Sequence, residues 1–308
     1  MSTKVEPVEL ARRARKRFSR PWASAMAIII ALLWTTPTFG LLLSSFRPEA
    51  DIKTNGWWNF FANPVLTIDN YNEVLYGSGS SGRLAAAFIN SLVITIPSVL
   101  FPIAFAALAA YALSWVKFKG RDFLFIAIFA LQVVPLQMAL VPLLSFFSQG
   151  VDIGGVQLLP AWDLDGPWKF IQVWFAHTAF GLPLSVFLLH NFMSELPGSV
   201  IESARVDGAS HGAIFRKIVL PLITPALASL AIFQFLWVWN DLLVALVFAS
   251  GPETSPLTAK LAEMAGSRGN EWQRLTAGAF VSIIVPVAVF LGMQRYFVRG
   301  LLAGSVKG

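Results

Sequence analysis

Apolar and charged positions fall in long separate blocks. Stretches free of Asp, Glu, Lys and Arg run over residues 21–46, 84–116, 123–151, 170–194, 218–240 and 275–294. Each offers the roughly 20 residues that a helix rising about 1.5 Å per residue needs to cross the hydrocarbon. Lipid gives an open backbone no hydrogen bonds, and the blocks lack the alternation of barrel strands, so the pattern predicts helices. The expectation is an all-α membrane protein with six transmembrane helices over about 22–46, 86–115, 123–148, 168–193, 222–249 and 275–297. No Ala-x-Ala site follows the first block, which is expected to be an uncleaved anchor rather than a signal peptide.

Charge sets the orientation. Of the 23 Lys and Arg, 16 lie before residue 21, in 117–122, in 195–217 and after 294, against 7 in the alternate connections, which places both termini in the cytoplasm. The run from Arg12 to Arg17 in the basic tail 1–20 reads as a topology signal against anionic lipid; contact with nucleic acid would need a folded domain to present it. Trp57, Trp58, Trp168 and Trp174 are expected at the water interface. Residues 47–83, punctuated by Pro and Gly, are expected as short helical pieces and turns. No internal repeat is visible, which counts against a secondary transporter of two halves.

The 308 residues are 56% hydrophobic and 13% charged, with mean hydropathy +0.65, in keeping with that class. Without cysteine there is no disulfide or thiolate metal site, and three histidines leave little for zinc, so neither a metal nor a resident cofactor is expected.

The connection between the fourth and fifth blocks, residues 195–221, is rich in local signals. Ser199 with Glu202 three residues on has the spacing of a capping box. Gly208 after Asp207 offers a cheap bend, and Ser210 is placed to cap a second helix. In that second helix Ile214 and Ile218, beside Phe215 and Val219, form an apolar stripe next to Arg216 and Lys217. Such a hairpin either docks on another protein or lies against the membrane or its own bundle.

Glu202-Ser203-Ala204-x-x-Asp207-Gly208-Ala209, followed after eight residues by Ile218-x-Leu220-Pro221, resembles the EAA loop of permease subunits in bacterial ABC importers. The likeness extends over about residues 20–308 to the sugar-importing branch of the maltose-type second permease. It is carried by Asn90-Ser91-Leu92, Val134-Pro135-Leu136-Gln137, Val141-Pro142-Leu143, Trp239-Asn240-Asp241 and Gln294 to Gly300. Ser45 to Ile52, Gly56-Trp57-Trp58 and Ala303 to Gly308 look most like α-glucoside permeases. The departure in the motif core is Ser203, where alanine is usual.

The resemblance implies a permease domain over 21–300 and a coupling helix seated in a cleft of a separate ATPase. Glu202, Ser203, Ala204, Asp207, Gly208, Ala209, Phe215, Ile218, Leu220 and Pro221 would form that joint, with Gly208 setting its bend. It implies a second homologous permease, two ATPase subunits carrying ATP and Mg, an extracytoplasmic solute-binding protein and a carbohydrate cargo. Gly266-Ser267-Arg268-Gly269 would reach the binding protein, and the tail 301–308 the ATPase pair. The chain has no Gly-Lys dipeptide, hence no phosphate-binding loop of its own.

Asn90, Gln132, Gln137, Gln234 and Asn240 have amides suited either to sugar hydroxyls or to neighbouring helices. Asp241 is the lone acid in an apolar stretch, which fits a structural role with a polar partner or, in an ion-coupled secondary transporter, a proton or cation site. His177 and His190, thirteen apart, have the wrong spacing for a shared ligand. The function expected is a non-catalytic permease importing an α-glucoside or other oligosaccharide; a polyol, glucosyl-polyol or glycerol phosphate is the alternative cargo.

Overall fold

The computed structural model describes residues 21–77, 84–266 and 271–303, with side chains as far as Gln294. The basic tail, Ser267 to Gly269 and residues 304–308 lie outside the described residues.

Helix α1 (Pro21–Ser45) leads into two short helices, α2 (Glu49–Thr54) and α3 (Asp69–Tyr76), and then the long α4 (Leu84–Trp115). Next come α5 (Arg121–Ala130), α6 (Leu136–Gln149) and a hairpin of β1 (Val151–Ile153) and β2 (Val156–Leu159). Helix α7 (Lys169–Ser194) and the short α8 (Gly198–Val206) precede α9 (His211–Leu222), α10 (Thr224–Trp239), α11 (Leu243–Phe248), α12 (Leu257–Gly266) and α13 (Trp272–Ala303). Among the described residues four helices are long and apolar enough to cross a membrane, or six spans if α5–α6 and α9–α10 each count as one.

The first pair departs from the continuous helix expected over 123–148, while the second bends at Ile223, where the expected loop 195–221 gives way to the span expected over 222–249. Helices α5 and α6 meet at 101°. Pro135 has no N–H to continue the ladder and drives Val134 into extended backbone (φ −72, ψ 116) after a tight turn over Leu131–Val133. Helices α9 and α10 meet at 72°. Pro221 and Pro225 flank that bend, and the turns before it widen to π geometry over Phe215–Val219, next to the proline whose ring crowds the carbonyl four residues back. A further break at residues 240–242 separates α10 from α11.

Among the described residues the hairpin is the exception to an all-helical pattern. Gly154 and Gly155 both hold positive φ (65° and 84°), as the favoured two-residue hairpin turn demands, and the Asp152 carboxylate accepts from Gly155 N at 2.9 Å.

Helices α4 and α7 form the spine. One core cluster joins Tyr111 and Leu113 of α4 and Leu189 and Met193 of α7 to Ile201, Ile214, Val219 and Ile223. A second joins Ile94, Phe147, Val173 and Phe248, and a third Leu84, Trp239, Leu257 and Val281. Helix α1 packs on α13 and leaves most of its apolar surface outward, which costs little against lipid tails. Of the expected interface tryptophans, Trp58 and Trp168 are exposed, whereas Trp57 lies over Gly40 and Trp174 donates to Val93 O at 2.9 Å. Buried Asn70 closes the end of α1 by donating to Ser45 O (2.9 Å) and Arg47 O (2.8 Å). Asn70→Ala strands both carbonyls and is expected to cost about 1–3 kcal/mol. A lower thermal midpoint for purified protein, compared with the exposed Asn72→Ala, is the check.

Candidate functional site

The connection between α7 and α10 has a locked inner side and an open outer side. Helix α8 begins after Pro197, which offers no side-chain cap, and so starts before the expected Ser199–Glu202 capping box; Ser199 and Glu202 are both exposed. The box does not form because Glu202 sits too deep in the helix to reach its first amide. Ser203 Oγ donates back to Val200 O at 3.1 Å.

The C-terminal end is a Schellman turn. Gly208 (φ +78) donates to Arg205 O at 3.0 Å and Ala209 to Ala204 O at 2.9 Å, with the two alanines meeting in the core. Ser210 then caps α9, its Oγ accepting from Ala213 N at 3.4 Å, and Tyr111 OH meets His211 Nδ1 at 3.0 Å.

The chain's own bundle covers the apolar stripe. Ile214 and Val219 are buried, Phe215 packs its ring on Tyr111 (centroids 5.3 Å apart), and Ile218 is half-buried in the same cluster with Ala204 and Ala209. Leu220 is half-buried and Pro221 exposed. Left outward are Glu202, Ser203, Arg205, Val206, Asp207 and Gly208, with Val206 at 87% exposure an apolar side chain at a polar tip. Arg205 reaches back to cap α4, donating to Trp115 O at 2.6 Å.

The second feature is a cleft of about 780 Å³ where the α5–α6 break faces α7 and α10. Its polar lining is Gln132 and Gln234, and Phe180, Phe233 and Trp237 add rings. Gln132 is exposed at the break. Gln234 is a packing residue: its Nε2 donates to Ser98 O at 3.4 Å, and its amide lies against Gly181, where a Cβ would fall 2.5 Å from that nitrogen and displace the amide.

The other four polar positions are not brought to the cleft. Gln137 is exposed outside its lining. Asn90 donates to Glu253 O (2.8 Å) and Ser255 O (3.1 Å), tying α4 to the segment before α12. Asn240 returns to Leu236 O of its own helix at 2.7 Å. Asp241 accepts from Ala245 N at 3.2 Å, capping α11, while its carbonyl takes the Thr258 hydroxyl at 2.6 Å. Its carboxylate also lies 3.6 Å from His177 Nε2, a pairing that spacing along the sequence did not reveal. Gly266 ends α12.

The chain matches the model of the binding-protein-dependent transport system inner membrane component family over residues 102–302. It belongs to that family. It is thus a multi-pass component of the inner membrane. It is 50% identical over 285 residues to the osmoprotective compounds uptake permease protein GgtD of Synechocystis sp., covering 91% of this chain and 90% of that one. It is 52% identical over 268 residues to the alpha-glucoside transport system permease protein AglG of Rhizobium meliloti, covering 87% and 67%. In fold it resembles a chain of a bacterial ABC transporter that imports the acidic polysaccharide alginate, with TM-score 0.68, 21% identity, and 92% and 98% of the two chains covered.

Proposed function

We propose that this chain is one of two permease subunits of an ATP-driven importer, with both termini and the 195–221 loop in the cytoplasm and the permease domain spanning 21–300. The observation that carries this reading is the outward side of α8: Glu202, Ser203, Val206 and Asp207 stand exposed on a helix whose other side is fixed in the core. Movement of an ATPase gripping that side passes into α4 and α7 through Ile201, Ala204 and Tyr111, and coupling of this kind runs both ways. Two ATPase subunits supply ATP and Mg, a second permease completes the path, and an extracytoplasmic binding protein delivers cargo beside the segment that includes Gly266 to Gly269.

The cargo is a carbohydrate, and within that class a small neutral α-glucoside. The names of the two relatives at half identity concern an osmoprotective compound and an α-glucoside, and a neutral glucoside satisfies both. The cleft supports neutrality, for its described lining has no charged side chain to pair with a phosphate or a uronic acid. Asp241 is engaged by Ala245 and His177, which favours the structural role over ion coupling.

Reconstitution of the full complex in liposomes tests the reading. ATP-dependent uptake of one among trehalose, sucrose and maltose is expected, with no uptake of glycerol phosphate. Uptake driven by a proton or sodium gradient without ATP would overturn it.

A further inference from the structure

We propose that the cleft at the break of the third span is a stopping place for one sugar ring in transit, with Trp237 as the stacking platform and Gln132 as the hydrogen-bonding group. This rests on the carbohydrate-import reading and adds which residues of this chain touch the cargo.

The break itself needs protein or water beside it. Backbone that leaves helical geometry at membrane depth is tolerated where it is buried in protein or lines a water-filled cavity. Residues 131–135 are not buried within this chain: Leu131, Gln132, Val133, Val134 and Pro135 all stand exposed, which leaves the break open to a wet path beside the second permease. The cleft lies within the about 300–1,000 Å³ typical of ligand sites and has their usual make-up, apolar and aromatic walls with few polar groups.

The aromatic surface is ordered for recognition. Phe233 and Trp237 lie four residues apart on α10, one turn along the same face, and both line the cleft while keeping accessible area, 52% and 36%. The far side of Trp237 is set by His177, whose ring meets it edge-on at 5.4 Å and 75°. His177 is itself held through Nδ1 by Val173 O at 3.0 Å. A ring fixed from behind and open in front suits the apolar C–H face of a pyranose, and loses little side-chain freedom on binding. Gln132, across the cleft, brings an amide with two donors and an acceptor to meet ring hydroxyls. Gln234 serves the walls and not the cargo, being wedged between Gly181 and Ser98.

The test uses the complete reconstituted complex with saturating binding protein, and as probe whichever of trehalose, sucrose or maltose the wild type takes up fastest. Trp237→Ala is expected to lower uptake about tenfold and Gln132→Ala about three- to tenfold, the loss of a stacking contact and of a hydrogen bond. Trp237→Phe should recover part of the loss. Subunit co-purification should stay at wild-type level in all three, and the control Ile96→Ala, exposed outside the cleft, should keep wild-type uptake and ATP hydrolysis. Wild-type uptake in both alanine variants overturns the assignment. So does loss of the second permease from the purified complex, which would make this face a dry subunit contact. If the wild type imports none of the sugars, the carbohydrate reading falls and this inference with it.

Discussion

Gly208→Pro is expected to abolish ATP-dependent uptake while the chain still inserts and assembles with the second permease. Gly208 holds φ +78, and its N–H closes the Schellman turn on Arg205 O. Proline locks φ near −65° and has no N–H, so it loses both geometry and hydrogen bond, at a cost of about 3 kcal/mol or more. No neighbour lies within 4 Å of a Cβ built at this position, so the penalty is one of backbone conformation and not of crowding. That makes the series graded. Gly208→Ala should cost about 1–2 kcal/mol and Gly208→Asn less, since asparagine visits the left-handed region more readily. Coupling should fall in the same order, read as sugar-stimulated ATP hydrolysis together with recovery of the ATPase subunits on purification. Glu202→Lys leaves the turn intact and reverses a charge on the outward side, so it should weaken ATPase recovery without lowering thermal stability. Full coupling in both Gly208→Pro and Glu202→Lys would remove the loop from the ATPase joint.

What the sequence discloses here divides by range. The charge-free blocks locate the membrane helices because lipid leaves a backbone almost no other choice. Gly208 and Ser210 declare themselves because each acts through a bond to a residue a few places away. The Ser199–Glu202 spacing misleads for the same local reason: the chain caps at Pro197 and the helix starts at Gly198, ahead of the box. Pro135, Pro221 and Pro225 were visible as helix breakers, yet apolar blocks long enough to span hide the bends of 101° and 72° within them. Gly154-Gly155 was a hairpin signal in a short connection. Trp237 gave no sign, since a ring facing a wet cleft and one facing lipid have the same neighbours in sequence. Asn90 and Asp241 declare only that they need a partner, because an amide or acid in an apolar stretch demands one; only the tertiary structure says that the partners are Glu253, Ser255, Ala245 and His177.

Replacing either member of the His177–Asp241 pair is expected to lower the stability of the fold, most where Asp241 is lost. The His177 side chain is 1% exposed and that of Asp241 10%, at 3.6 Å, beside a cavity of about 10 Å³ lined by Ser91, Thr95 and Thr258. That volume is about enough for a single water, which would serve His177 Nε2, otherwise buried with no hydrogen-bond partner. Asp241→Leu removes the α11 cap and leaves Ala245 N without its acceptor, at about 1–3 kcal/mol, whereas His177→Leu takes away the ring 3.6 Å from a carboxylate that Ala245 N still holds. The double variant should lose less than the sum of the singles, because each single change removes the same contact. Asp241→Asn separates this structural role from ion coupling. An amide can still accept from Ala245 N and face His177, so a modest fall in thermal midpoint with uptake largely kept is expected. Should Asp241→Asn block uptake while the midpoint stays put, the carboxylate acts on cargo or on an ion, and the buried pair is not what holds the break in the fifth span.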